Sequence, residues 1–203
     1  MATTVEGAPG APYPLRFSVD YPEQGLSRLS SVFRLVWIIP IAVVIGAIPA
    51  GVIGFGTLFF GPLLMILFRR KYPRWWFDWN REYFRFSARV GAYMALLRDE
   101  YPSTDDEQAV HVEIDYPDVE RDLNRWLPLV KWLLAIPHYI VLFFLVIAAL
   151  FAVAFAWFAI LFTGRYPRGL FGFVVGVTRW WYRVQAYAFL LVTDRYPPFS
   201  LSE

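Results

Sequence analysis

The chain contains the same pattern of residues twice. The first copy opens with LRFSVDYP at residues 15–22, and VHVEIDYP follows 95 positions later at residues 110–117. Further along, KYPR at residues 71–74 recurs 94 positions later as RYPR. Matching motifs at a constant offset predict a tandem duplication that folds as two similar halves about a pseudo-two-fold axis. The predicted boundaries are a disordered N-terminal tail at 1–12, a first repeat at 13–102, an acidic linker at 103–109 and a second repeat at 110–203.

Two long stretches of the chain carry no formal charge. Residues 35–68 and 132–164 lack Asp, Glu, Lys and Arg, and each exceeds the about 20 residues that a membrane-spanning helix needs. With 58% hydrophobic and 20% aromatic residues, the chain has too few polar side chains to cover two such stretches in water. The sequence therefore predicts a membrane protein. The 19 basic residues include two Lys, and this excess of Arg favours a GC-rich bacterial source.

Each uncharged stretch could form a hairpin or one helix. One helix over either stretch would be about 50 Å long, against a hydrocarbon core of about 30 Å. Basic residues flank both ends of each stretch, which favours two short spans with both ends in the cytoplasm. The first stretch also has a bend signal at Pro49–Gly51. The second leaves the question open, because residues 139–162 contain neither Gly nor Pro.

Each repeat begins with a segment that alternates apolar and polar residues. Residues 15–21 and 110–116 both show a period of two and are followed by Pro, which is typical of a half-buried strand. Because a lone strand leaves its backbone unpaired, the two strands are expected to pair antiparallel across the pseudo-two-fold axis. The expected fold class is a mainly α membrane protein in which each repeat has a β-strand, a transmembrane helical hairpin and an amphipathic interfacial helix. In this interpretation the protein is a multi-pass protein of the bacterial plasma (inner) membrane, with its termini and interfacial helices cytoplasmic.

An amphipathic helix is predicted at the end of each repeat. Its apolar positions are spaced three and four residues apart, and the two copies show the same stripe. Two arginines one helical turn apart recur on each helix, and their guanidinium groups suit an anion such as lipid phosphate. The alternative is that they form a solvated face or neutralise Asp78 and Glu82. The predicted lipid or anion ligands are Arg85, Arg89, Arg179 and Arg183, and the predicted interfacial anchors are Trp75, Trp76, Trp79, Trp180 and Trp181.

No motif for catalysis, a cofactor or a metal ion is found in the sequence. The chain has no Cys, and its two His residues, His111 and His138, lack neighbouring ligands, so structural roles are expected for both. No Gly-rich phosphate loop or nucleophile motif is present. The uncharged stretches also lack the ionisable groups of a proton or ion pathway. The expectation is a non-enzymatic protein without cofactor, catalytic residue or metal site, and with no nucleic-acid partner.

Several segments resemble the uncharacterised bacterial membrane protein family DUF4389, in two tandem copies. The resemblance rests on residues 136–144 (IPHYIVLFF), 156–171 (AWFAILFTGRYPRGLF) and 194–201 (DRYPPFSL), together with the helix that carries Arg179 and Arg183. The first copy departs from this pattern: RRK stands at residues 69–71 where the second has TGR. The resemblance implies the family and brings no function with it.

These observations favour an accessory or scaffold subunit of a membrane complex, or a protein that organises anionic lipids. The expected partners are the lipid bilayer, anionic lipids, and a protein partner or further copies of the chain. The alternative is a small transporter or channel for a lipophilic solute along the pseudo-symmetric interface. A lipid-modifying enzyme is a third interpretation.

Overall fold

The computed structural model describes residues 12–47 and 57–202. It is mainly helical, at 61%, with one small two-stranded sheet. The bend expected at Pro49–Gly51 lies outside the described residues, as does the predicted tail apart from Pro12. The elements are β1 (Leu15–Val19), α1 (Arg28–Trp37), α2 (Ile39–Ala47), α3 (Thr57–Leu64) with a π-helical turn (Met65–Arg69), α4 (Arg74–Met94), β2 (Val110–Ile114), α5 (Val119–Asp122), α6 (Pro128–Leu134), α7 (Ile136–Thr163) and α8 (Arg168–Ala188).

The predicted sheet between the repeats is confirmed. Strand β1 pairs antiparallel with β2, and the register places Phe17 opposite Val112 at the centre. The apolar positions of both strands face inward and are buried, whereas the alternate positions face outward. On the outward face Arg16 forms ion pairs with Glu113 and Asp115 at 2.9 and 3.1 Å. The sheet therefore has one apolar face and one polar, largely solvent-exposed face.

The two amphipathic helices pack against the inner face of this sheet. Strand β1 contacts α8, and β2 contacts α4. The predicted packing stripe is buried over its second half in both helices. In α4 it contacts Ile38 and Ile41, and in α8 it packs against Ala135 and Leu142. The sheet side and the stripe side of each helix are thus both covered, so α4 and α8 form a middle layer.

The hairpin prediction is wrong for the second repeat. Helix α7 runs without a break from Ile136 to Thr163, because nothing between its first turn and its end interrupts the backbone hydrogen bonds. Pro137 lies in the first turn, where it is tolerated, and Gly164 ends the helix in the left-handed conformation at φ +72°. Among the described residues, α7 is the one helix long and apolar enough to cross a membrane. A multi-pass fold is therefore not seen in the described part of the chain.

Matching contacts across the repeats reveal the pseudo-two-fold axis. The Tyr21 hydroxyl donates to the Tyr166 carbonyl, and the Tyr116 hydroxyl donates to the Tyr72 carbonyl. Each of these bonds joins one copy to the other, at equivalent positions. Helix α7 also contacts the other copy, because its second half packs against α1 of the first copy. The copies are consequently interlocked around one main core.

Candidate functional site

A buried arginine in the first copy is surrounded by polar partners. The side chain of Arg34, on α1, is 4% exposed and forms an ion pair with Asp99. Its guanidinium also donates to the carbonyls of Tyr93 and Arg98 at 2.6 and 2.9 Å, and its Cζ lies 4.4 Å from the centroid of the Tyr93 ring. The Asp99 carboxylate in turn accepts from the Ser27 amide at 2.5 Å. The cluster ties the start of α1 to the segment that follows α4.

The second copy repeats this cluster with a lysine. The Lys131 side chain, on α6, is completely buried, and its Nζ lies 2.6 Å from Asp194 Oδ1. The ammonium also donates to the Thr193 carbonyl at 2.7 Å and lies 5.3 Å from the centroid of the Tyr187 ring. The Asp194 carboxylate accepts from the Asn124 amide at 2.5 Å. The carboxylate, its backbone amide donor, the carbonyl of the preceding residue and the aromatic ring around Arg34 thus each have a counterpart around Lys131. We call the two sites the buried cation clusters.

Burial and the carboxylate act in opposite directions on each cation. Burial lowers the pKa of the Lys131 ammonium below its ordinary value, while Asp194 acts to raise it. The pKa of the Arg34 guanidinium is likewise lowered by burial and supported by Asp99. The carboxylates and backbone carbonyls therefore keep two otherwise costly buried charges in place. Each cluster therefore clamps a buried cation between a carboxylate, a backbone carbonyl and an aromatic ring.

The buried cation clusters are not among the sites predicted from the sequence. Arg34 and Lys131 belong to the flanking charges of the uncharged stretches, and they are 97 positions apart rather than 94 or 95. Pro40 and Pro137 show the same offset of 97, which is the signal that aligns the two cations. The three extra residues of the first copy lie between these prolines and the KYPR motif.

The four arginines predicted to bind an anion lie on the sheet side of α4 and α8. Arg85 donates to the Val112 carbonyl at 3.1 Å, and Arg179 donates to the Phe17 carbonyl at 2.9 Å. These carbonyls belong to the central residue pair of the sheet, so each arginine binds one outer edge of the ladder. The other two also donate to carbonyls: Arg89 to Ser103 at 2.7 Å, and Arg183 to Ser202 at 2.9 Å.

The alternative that these arginines neutralise nearby carboxylates holds in part, because Arg85 also forms an ion pair with Glu82 at 3.1 Å. Arg179 and Arg183 line a cleft of about 670 Å³ beside β1, to which Arg195, Arg16 and His111 contribute positive or titratable groups. Glu113 lines the same cleft and offsets some of that charge. Anion binding at these arginines stays a prediction, and their backbone contacts give them a structural role in addition.

The predicted interfacial anchors fall into two groups. Trp75, Trp79 and Trp181 are exposed, at 66%, 46% and 40%. Trp76 is half-buried against Gly61. Trp180 is 5% exposed and donates to His138 Nδ1 at 3.0 Å, so contrary to the prediction it does not lie at the surface.

The two histidines have structural surroundings. His138 is buried, and its ring stacks on Phe199 with the centroids 4.0 Å apart. His111 lies on the outer face of the sheet, 3.2 Å from Asp20. Within residues 12–47 and 57–202, no three His, Cys, Asp or Glu side chains are grouped so as to hold a metal ion.

The outer side of α7 is an extended apolar surface. In its most apolar window of 18 residues, 17% of the positions are buried against the rest of the protein. The buried positions form a narrow stripe with half-buried positions beside it, and the outer side of the helix is apolar and exposed. Its exposed large side chains include Ile140, Phe143, Phe144, Ile147, Leu150, Phe151, Phe155, Phe158 and Phe162.

Two interlocked copies of a strand, an apolar helical segment and an arginine-bearing amphipathic helix define a duplicated helical protein with an uncovered apolar helix. The family model "Domain of unknown function (DUF4389)" matches residues 28–104 and again residues 126–200. The chain belongs to the DUF4389 family, and it carries two tandem copies of the family's domain. No curated protein and no solved structure matches the chain.

Proposed function

We propose that this protein is a non-enzymatic, membrane-bound accessory or scaffold protein, which organises a membrane complex or the anionic lipids around it. The observation that carries the proposal is the uncovered apolar surface of α7. Soluble monomeric proteins rarely expose an apolar surface of this extent. We therefore expect a partner or a membrane to cover it. The side chains of this surface carry no charge, which suits a hydrocarbon environment.

The proposed location is the cytoplasmic side of a bacterial inner membrane, with cytoplasmic termini. It is supported by the exposed basic residues beside the apolar elements, since anionic lipids attract such residues at the membrane surface. In the first copy these are Arg69, Arg70 and Lys71, and in the second they are Arg165 and Arg168. The exposed tryptophans Trp75 and Trp79 lie close by in sequence and suit the headgroup region.

The functional proposal is tested by purifying the full chain in native lipid and identifying what co-purifies by mass spectrometry. A stoichiometric protein partner or a retained set of anionic lipids supports the accessory role. A discrete lipophilic molecule would instead favour the transporter alternative. Recovery of a stable, lipid-free and partner-free soluble protein would refute the membrane-bound role.

Lipid binding by the arginines has its own test. The joint replacement of Arg85→Gln and Arg89→Gln should weaken the binding free energy for anionic lipid by about 1 kcal/mol per residue at low salt. The double variant should therefore retain less anionic lipid. Because salt screens exposed charges, the difference from the wild-type chain should shrink as ionic strength rises. Arg16→Gln is the matched control, since that side chain is 44% exposed and lies on the outer face of the sheet. Unchanged lipid retention in the folded double variant would assign the pair a structural role alone.

A further inference from the structure

The body of the protein lies beside α7 along the whole of that helix. Near the start of α7, Tyr139 stacks with Phe189, just beyond the end of α8. Near its end, Ile160 belongs to the same buried core as Phe171, at the start of α8. The two helices are therefore antiparallel and in contact over most of the about 42 Å that 28 residues span. Any orientation of α7 in a membrane is shared by α8.

The far side of the body is polar. Helix α8 contacts α7 on one side and β1 on the other, so the sheet lies on the opposite side of the molecule from the uncovered surface of α7. The outer face of the sheet carries exposed charged or titratable side chains: Arg16, Asp20, His111, Glu113 and Asp115. If α7 crossed the bilayer, this face would lie at the depth of the hydrocarbon core. Charged side chains exposed at that depth are costly.

Basic residues flank α7 in the sequence. Arg121 and Arg125 precede it, and Arg165 and Arg168 follow it. In a crossing helix these groups would lie on opposite sides of the membrane, although Arg and Lys normally concentrate on the cytoplasmic side. The charges that favoured a hairpin from sequence therefore have a second explanation, now that α7 is one continuous helix. Both of its ends can face the same aqueous compartment if the helix lies flat.

We propose that α7 lies parallel to the membrane plane, with its uncovered surface immersed in one leaflet and the sheet in water. This inference rests on the proposed membrane-bound function and specifies its geometry. The pseudo-two-fold axis then runs along the membrane normal, so both repeats face the lipid in the same way. The occupant of the α7 surface is the acyl region of an anionic leaflet, with the basic ends of the helix at the headgroups.

Single cysteines test this orientation cleanly because the chain has no native Cys. Arg121→Cys and Arg165→Cys place one thiol near each end of α7, at exposed positions. In sealed vesicles that hold the protein in one orientation, a membrane-impermeant maleimide should label both thiols from the same side. Ser18→Cys, on the outer face of the sheet, should label from that side too.

A depth measurement gives a second readout. Phe144→Cys, Phe151→Cys and Phe158→Cys, labelled with bimane, should show the same quenching by lipids brominated at a given acyl depth. Labelling of Arg121→Cys and Arg165→Cys from opposite sides, or deepest quenching at residue 151 alone, would overturn the flat orientation while leaving the membrane-bound function standing. Failure of the wild-type chain to float with anionic vesicles would overturn both.

Discussion

Removal of one buried cation gives the sharpest test of the packing in this structure. We consider Lys131→Met, which keeps a long side chain but deletes the charge and the donors. The substitution removes the 2.6 Å contact with Asp194 and the 2.7 Å hydrogen bond to the Thr193 carbonyl. It leaves a carboxylate and a carbonyl without the donor that satisfied them.

The expected loss of stability follows from the burial of the pair. Breaking a buried ion pair by removing one partner costs about 3–5 kcal/mol, because the remaining charge is left uncompensated. The Asp194 side chain is 21% exposed and keeps the Asn124 amide as a donor, which places the cost near the lower end of that range. For a chain of 203 residues, a loss of about 3 kcal/mol corresponds to a fall in Tm of about 6–12 °C.

The assay is thermal unfolding of the purified protein in lipid nanodiscs, followed by circular dichroism. Lys71→Met is the matched control because the chain has two lysines and Lys71 is exposed. Its Tm should stay within about 2 °C of the wild-type value, as expected for a surface substitution. Arg34→Met should behave like Lys131→Met, since the buried cation clusters are equivalent.

A double-mutant cycle distinguishes the ion pair from lost packing. Asp194→Asn added to Lys131→Met should cost less than the sum of the single changes, with a coupling of about 1–3 kcal/mol. Additive effects, or a Tm for Lys131→Met equal to that of Lys71→Met, would refute the clamp role of the cluster.

Three further outcomes are expected. Phe17→Asp or Val112→Asp should each cost about 3 kcal/mol or more by burying an unpaired charge at the centre of the sheet, and a wild-type Tm in both would contradict the packing of its inner face. Gly176→Ala should lower the Tm because its Cβ would lie 2.9 Å from a side-chain atom of the C-terminal segment. Gly172→Ala, whose Cβ would have no atom within 4 Å, should instead stabilise the protein by up to about 1 kcal/mol through helix propensity. The reverse order of the two Tm values would count against the packing of α8. Burial raises the pKa of Tyr187 to about 12. An unfolded tyrosine ionises near pH 10, so stability present below pH 10 should fall as the pH rises toward 12, and Tyr187→Phe should fall less steeply; equal slopes in a pH series of melts would exclude this contribution.

The sheet was predictable because its pattern is local. Alternation of period two at residues 15–21 and 110–116 predicts strands, and a duplication leaves each strand one symmetric partner. The central pairing of Phe17 with Val112 then follows from the axis. Packing of both residues into one inner layer is also confirmed, since they are 2% and 4% exposed.

The course of α7 could not be settled from local pattern. Basic residues at both ends of an apolar stretch are compatible with a hairpin and with a helix whose ends face the same side. The deciding feature is the absence of Gly and Pro from residues 139–162, since a bend without either would leave backbone groups unpaired. Charge placement alone favours the hairpin, whereas the absence of Gly and Pro favours one continuous helix.

The buried cation clusters depend on contacts between residues distant in sequence. Arg34 and Asp99 are 65 positions apart, and Lys131 and Asp194 are 63 apart. A basic residue at the edge of an apolar stretch resembles an interfacial anchor until the partner is known. The differing offsets of the two copies also hide the equivalence of the cations, although their carboxylates show the regular offset of 95.

A strained turn after each amphipathic helix explains how those carboxylates reach the cations. Leu96 and Leu191 occupy equivalent positions and both adopt the left-handed conformation, with φ of +62° and +59°. This conformation is unfavourable for a bulky residue and persists where packing compensates it. Both leucine side chains are buried, at 5% and 0% exposure. Because Asp99 and Asp194 each follow three residues later, the reversal at the leucine directs the chain back toward α1 or α6. In each repeat, the buried leucine thus positions the carboxylate that pairs with the buried cation on α1 or α6.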